Sequence, residues 1–383
     1  MLESPDKHCV SSAQIRGLYP RGSDPAMPVE MIGWIAPRVS SEVVPAQGPP
    51  FDASVIAKTA RVHEEAGFDR VLIGYFSDAP DGFVIGAHAA SITSRLGFLL
   101  AHRPGFVAPT LAARKLATLD QLTNGRLAVH IISGGSDADQ AKDGDFTTHA
   151  ERYRRSAEYI SILRQTWTSA APFDHDGEFY RFRGAHSQIR CQQTPCMPIY
   201  GGGGSDDAVA MLSPVLDLFM LWGEPLRETA AFMARVRKTA EAASARAPQF
   251  SLSTRPILAR TDAEAWDRAR HLLERLKAQR KGVPPPKPEN VGSQRLLAVA
   301  AAAEVHDSCL WTKLSEATGA RGNSTALVGC PETVAKALVE YYKIGATSLL
   351  IRGYEPLEDA EQYGRELIPL VRDMVAEVDR GRG

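Results

Sequence analysis

Eight short apolar segments, separated by amphipathic helical patterns and bounded by turn residues, predict an α/β protein folded as a (β/α)8 TIM barrel with insertions. Three observations carry this. Each apolar run has the length of a strand, helical periods recur between the runs, and 383 residues suffice for one large barrel. Strands that alternate with helices pair in parallel through right-handed crossovers.

The elements follow in order. Met31 to Ala36 is the first strand. Asp52 is placed to cap a helix in which Val55, Ile56, Ala60, His63 and Gly67 recur at helical spacing. Arg70 to Gly74 is the second strand, and a helix over Phe83 to Ile92 leads to the third, Leu96 to Ala101. Pro109 opens the next helix, whose apolar face is Ala112, Leu116 and Leu119 and which Asn124-Gly125 ends. The fourth strand, Leu127 to Ile132, precedes a long helix from His149 to Trp167. Phe173 to Arg190 reads as extended structure. Strands five (Met197 to Tyr200) and six (Val215 to Leu221) flank four glycines and a helix from Asp206 to Leu212. Strand seven is Ser251 to Ala259, after which Thr261 to Glu264 form a capping box. A helix over Glu332 to Lys343, strand eight (Thr347 to Ile351) and a helix from Asp359 to Val378 complete the chain.

Two segments break the alternation. Residues 1–26 are polar and aperiodic, a flexible N-terminal extension to a single barrel over 27–383. Residues 277–325 are rich in Pro, Lys and Ala, the composition of a mobile insertion, with a short helix at Ser293 to Ala303.

A net charge of −1 supplies no electrostatic footprint for nucleic acid. No apolar run is long enough to span a bilayer, and the N-terminus has no signal-like apolar core. Five cysteines without paired metal-ligand spacing read as reduced thiols, and the expected location is the cytoplasm. No clustering of His and acids suggests a catalytic metal.

The most informative stretch is Gly201-Gly202-Gly203-Gly204-Ser205-Asp206, between a strand and a helix start. Glycines let backbone amides approach a ligand, and a helix N-terminus suits a phosphate. The run reads equally as a plain turn whose helix is capped by Asp206 and Asp207. It is neither a Walker loop nor a strict dinucleotide fingerprint. The other strand exits carry Tyr75 to Ala79, His102-Arg103, Ser133 to Ser136, Trp222, Arg260 and Arg352 to Tyr354. In a barrel of this type function sits at those exits.

Several segments together resemble the bacterial-luciferase-like flavin monooxygenases, and within them the alkanesulfonate monooxygenase branch. They are Arg103-Pro104, Ala108 to Arg114, Ala117 to Asp120, Asn124 to Arg126, His149 to Ala157, Tyr200 to Asp206, Trp222 to Pro225, Thr325 to Gly329 and Gly353-Tyr354. The resemblance implies a barrel that binds FMN as reduced FMNH2, delivered by a separate NAD(P)H-dependent FMN reductase. It implies an oxygen-dependent desulfonation of a small sulfonate to an aldehyde or carbonyl product plus sulfite. It also implies a homo-oligomer, dimer or tetramer. No nucleic-acid or membrane partner is expected.

Carried over by position, Tyr153, Gly203, Gly204 and Ser205 hold the FMN phosphate, with Ala79, His102 and Ser133 at the flavin rim. Trp222, Arg255, Arg321 and Tyr354 form the catalytic set, and Arg321, Arg352 and Trp222 meet the substrate. A guanidinium suits a sulfonate because its charge is permanent and its donors are forked. Two departures stand out. Ala79 occupies a position where the family has cysteine, and strand seven lacks the histidine of the family's Arg-x-His pair: an ungapped reading puts Ser253 and Arg255 there, and a gapped one matches Arg255 to the family arginine. A related monooxygenase or dehydrogenase acting on a sulfone, amine, long-chain compound or deazaflavin partner is the second reading. A flavin-binding protein without catalysis is the third.

Overall fold

The computed structural model describes residues 29–381 except 47, 286, 321 and 323, so the extension at 1–26 lies outside the described residues. All eight apolar runs form strands. They are β1 (Glu30–Ile35), β2 (Arg70–Ile73), β3 (Gly97–His102), β4 (Leu127–Ile131), β7 (Ile199–Gly202), β8 (Leu218–Trp222), β9 (Gln249–Leu258) and β13 (Ala346–Ile351). All pair in parallel in the order β9-β13-β1-β2-β3-β4-β7-β8, and β8 pairs with β9 to close the ring. Helices connect them, and the predicted starts hold. Asp52 accepts from Ser54 N and Val55 N, and Pro109 opens Pro109–Leu122. Asn124 and Gly125 end that helix with φ of 54° and 77°.

Alternation along each strand sends one set of side chains inward. Ile32, Leu72, Leu99, Ala101, Ala128, Tyr200, Leu218 and Leu350 pack together there, with Trp34, Ile132 and Met220 against them. At the amino-terminal end of the barrel the filling is polar. Glu30 accepts from Arg70 Nε at 3.0 Å, from Tyr200 Oη at 2.7 Å and from Ser348 Oγ at 2.8 Å. The second Arg70 arm donates to the Arg126 carbonyl at 2.9 Å. This network closes the bottom and leaves the opposite end as the mouth.

Several regions add to or differ from the sequence expectation. Phe173 to Arg190 contains an antiparallel hairpin, β5 (Phe173–Asp176) with β6 (Arg181–Ala185), outside the barrel sheet. A helix over Leu226–Ala242 and the strand β12 (Ala326–Gly329) escaped assignment. The described part of the insertion is folded. It holds a helix at Val291–Ala302, a short antiparallel pair β10 (Val305–His306) and β11 (Leu310–Trp311), and a helix at Lys313–Thr318. It joins the barrel through β9, whose first part pairs with β8 and β13 while Arg255–Leu258 pair with β12.

Glu30 serves three donors, so Glu30→Ala strands the Arg70 guanidinium in a low-dielectric interior. The expected loss is roughly 3 kcal/mol of unfolding free energy, read from urea denaturation of the variant beside the wild type.

Candidate active site

The glycine run leaves β7 at the mouth. Ser205, not Asp206 or Asp207, caps the following helix: its hydroxyl accepts from Ala208 N at 3.2 Å. Asp206 turns outward to an ion pair with Arg235, which takes one negative charge away from the helix start. A side chain at Gly203 would collide with the Tyr153 hydroxyl and Ala208, so only glycine lets that phenol lie against the backbone. His149 Nε2 lies 3.3 Å from Ser205 Oγ. Burial pushes the Tyr153 phenol up to about 12, although a hydrogen bond with Ser205 pulls the other way, so it is neutral at physiological pH. Gly203, Gly204 and Ser205 remain partly exposed. The corner therefore brings hydroxyls, bare glycine backbone and a helix start to one small volume.

The helix His149–Thr168 positions more than this corner. Tyr153 meets the glycine run, Ser156 Oγ lies 2.8 Å from Ser133 Oγ, and Tyr159 Oη lies 2.7 Å from His102 Nε2. The residues stand three apart, on one helix face. Its start is secured by a capping box between Thr148 and Glu151. Both His102 and Ser133 are buried under this helix rather than directed into the mouth. Burial lowers the His102 pKa to about 4, with Lys115 acting in the same direction, and the ring stays neutral.

Across the barrel a charged cluster forms at the exits of β9 and β13. Arg255 is fully buried; its guanidinium meets both Glu42 oxygens at 3.1 Å and donates to the carbonyls of Arg352 and Gly353 at 2.8 Å. It also lies 3.7 Å from the Tyr354 ring centroid. Arg352 donates to Glu42 Oε1 at 3.3 Å and stacks 4.9 Å from the Trp34 ring, and a quarter of its side chain is exposed. Burial and the neighbouring Arg255 lower its pKa to about 10, so it stays cationic. Burial raises the Glu42 carboxyl, but Arg255 and Arg352 outweigh it and hold the pKa at about 2. Two guanidinium groups therefore share one carboxylate. Burial raises the Tyr354 phenol well above its usual range, and its hydroxyl donates to the Ser324 carbonyl at 3.3 Å.

The insertion connects the two sides. Gly204 sits against the backbone of Val291 and Gly292, and Gly292 sits against the Trp222 ring. Asn290 caps that helix, and Arg295 forms an ion pair with Glu224 just past Trp222. Ser293 Oγ donates to the Ala320 carbonyl, close in sequence to the Ser324 that Tyr354 meets. The glycine corner and Trp222 thus border one mouth, whereas Tyr354 is fully buried beside it, packed with Val43, Ile257 and Trp311.

Among the remaining sequence candidates, Ala79 lies partly exposed in the loop after β2, its amide bonded to the Phe76 carbonyl. Arg321 lies outside the described residues. Arg255 and Arg352 come together, but Arg255 is saturated by Glu42 and two carbonyls. Sequence reasoning missed Glu42, which sits in a polar loop with no period or motif to mark it. It placed Arg103 at a strand exit but gave it no role; Arg103 pairs with Asp139 at 2.7 Å and lies 4.6 Å from the Tyr75 ring.

Comparison with known proteins agrees with this architecture. The family described as Luciferase-like monooxygenase matches residues 30–348. Among solved structures, EDTA monooxygenase (EmoA) from Chelativorans sp. BNC1 is 16% identical with a TM-score of 0.71, covering 91% of this chain and 94% of that one. DmoA from Hyphomicrobium sulfonivorans is 17% identical with a TM-score of 0.72, over 91% and 88% of the two chains. A riboflavin lyase (RcaE), solved with modified FMN and riboflavin, is 17% identical with a TM-score of 0.72, over 90% and 92%. At these identities the likeness is one of fold.

The Glu42 cluster has a pH signature. Its carboxyl titrates at about 2 in the folded protein against an ordinary value of 4.5. Its stabilisation is therefore complete above about pH 4.5 and is lost as pH falls towards 2. Glu42→Gln should be less stable than wild type by on the order of 3 kcal/mol at neutral pH. Denaturant titrations at a series of acid pH values should show that difference shrinking to near zero by about pH 2.

Proposed function

The chain belongs to the luciferase-like monooxygenase family, and from that premise we propose that it is the oxygenase of a two-component, FMNH2- and O2-dependent system that desulfonates an organosulfonate to a carbonyl product plus sulfite. A separate NAD(P)H-dependent reductase supplies the flavin in the cytoplasm, and the oxygenase acts as a homo-oligomer. One observation carries the reading. A neutral donor cradle at the β7 exit and a cluster with excess positive charge at the β9 and β13 exits border the same mouth.

The cradle fits a phosphate. Tyr153 and Ser205 bring hydroxyls, Gly203 and Gly204 bring backbone without Cβ atoms, and Asp206 is already paired away. Neutral donors at a helix start bind a dianion with modest desolvation. Reduced FMN, when bound there, supplies the two electrons with which dioxygen is activated. Trp222 and the insertion helix cover the space between cradle and cation cluster and keep water out.

Arg352 is the substrate cation, because its guanidinium is partly exposed and only weakly engaged with Glu42. Arg255 fixes the Tyr354 ring from below and raises the positive potential without touching substrate. Tyr354 keeps a neutral hydroxyl bonded to the Ser324 carbonyl, and its catalytic role rests on the family resemblance. Arg321 lies outside the described residues, and its assignment to the sulfonate rests on the family resemblance alone. Ala79, His102 and Ser133 support the flavin side through the walls that hold them.

A second reading has support in the same charge. EDTA monooxygenase, by its name, acts on a polycarboxylated amine, and an arginine-lined mouth receives carboxylates as readily as sulfonates. Sulfite assay during turnover with a reductase, NAD(P)H, FMN and a panel of sulfonates and aminocarboxylates separates the two. Release of sulfite from any sulfonate supports desulfonation; oxygen-dependent consumption of aminocarboxylates alone replaces it.

Two sets of variants follow. Tyr153→Phe and Ser205→Ala should each weaken FMN binding about tenfold while leaving riboflavin affinity unchanged, as measured by fluorescence titration. Arg352→Ala should raise the KM for an anionic substrate by roughly tenfold or more with little change in FMN affinity. Equal loss for a neutral substrate would argue against a charge role.

A further inference from the structure

The barrel interior contains a histidine that none of these roles uses. His130 lies on β4 between Ala128 and Ile132, both of which pack into the interior, so alternation points its ring inward. Its Nδ1 is buried without a hydrogen-bond partner. The side chain as a whole is partly exposed, although it lies well below the rim.

The strand register explains how a deep residue keeps an opening. A closed barrel of eight parallel strands staggers by about one residue per strand, so inward residues form layers contributed by alternate strands. Following the pairings round the ring places Ile32, Leu99, Tyr200 and Ser251 in one layer. Above it lie Leu72, His130, Met220 and Leu350. The next layer is Trp34, Ala101, Gly202 and Ser253, and the rim is Gly74, Ile132, Trp222 and Arg352. Three of the four residues directly above His130 are small, and Trp34 fills the fourth position against Gly74 and Arg352. The space therefore opens over β3, β4 and β7. His130 and Met220 are the two residues of their layer left partly exposed; Leu72 and Leu350 are buried.

That space has a defined neighbour. Gly202 begins the turn that leads to Gly203 and Ser205, so the phosphate cradle stands at the same side of the barrel. The cation cluster does not, because β13 lies four strands from β4 in either direction round the ring. We infer that His130 is a flavin-contacting residue, its imidazole forming the floor of the mouth and hydrogen-bonding the polar ring of the cofactor whose phosphate is held at Gly203–Ser205. This rests on the FMN reading above and adds a residue to it. Burial holds the ring neutral, with a pKa of about 4, so one nitrogen donates and the other accepts at physiological pH. A flavin ring offers both kinds of partner along its pyrimidine edge. An unpartnered polar atom in the interior costs stability unless a ligand satisfies it.

Riboflavin is the discriminating probe because it lacks the phosphate. Purified protein is titrated with oxidised and anaerobically reduced riboflavin and FMN, following fluorescence and the visible spectrum. His130→Leu should weaken both ligands about tenfold and move the bound-flavin absorbance. His130→Gln, which keeps a donor and an acceptor, should restore most of the affinity. Tyr153→Phe should weaken FMN alone. A purely structural role for His130 would lower the thermal midpoint of both His130 variants and leave the spectrum of bound flavin unmoved, and that outcome overturns the inference. Wild-type affinity and spectrum in His130→Leu overturn it equally while leaving the phosphate cradle standing. Failure of the wild type to bind either flavin removes the FMN reading and this inference together.

Discussion

Closure of the sheet through the β8–β9 pair is the constraint from which the site follows. A ring of parallel strands has no edge, so the polar groups of the strands are satisfied within the ring and the chain must return outside it through helices. All carboxyl ends then converge on one rim. Stagger forces the inward side chains into layers, and the size of each residue in a layer decides whether the interior is solid or hollow. Glu30, Arg70, Tyr200 and Ser348 make the lower end solid with a satisfied polar network. Ala101, Gly202 and Ser253 make the upper end hollow on one side.

The mouth is electrostatically divided. Towards β7 the groups that line it are mostly neutral: two hydroxyls, glycine backbone and His130, which burial keeps unprotonated. Towards β9 and β13 lie two guanidinium groups against a single carboxylate. On the proposed function, such an arrangement sorts two anions without exchanging them. A phosphate gains most from many short neutral donors at a helix start, and a monoanion of a strong acid gains most from a permanent cation. Arg255 shows why charge alone does not identify a ligand contact. Its donors are consumed within the protein, and its effect on the mouth is one of potential and of holding Tyr354 in place.

Much of this was legible before any coordinates. Strand-length apolar runs and their turn residues located all eight barrel strands, because buried parallel strands read as continuous apolar segments. The glycine run and Trp222 marked two borders of the mouth, one by its bare backbone and the other by its flat ring at a strand exit. The errors have physical sources too. His102 and Ser133 stood at predicted exits, but a strand reverses its facing with every residue, so a boundary off by one turns a rim residue into a wall residue. The serine hydroxyl of Ser205 took the cap that the alternative plain-turn reading gave to the adjacent aspartates. Glu42 had no local signature at all, since its partners Arg255 and Arg352 are brought to it only by the closed ring. The strand β12 is short and lies beyond the insertion, where the helix-strand rhythm had already been lost.

The double membership of β9 sets how the covering segment can behave. One continuous ten-residue strand belongs to the ring at its start and to the small sheet of β12, β11 and β10 at its end. The segment is therefore cantilevered from the barrel wall rather than hung on a free tether. The helix at Val291–Ala302, which lies against Gly204 and Trp222, is thus anchored to the same strand that bears Arg255.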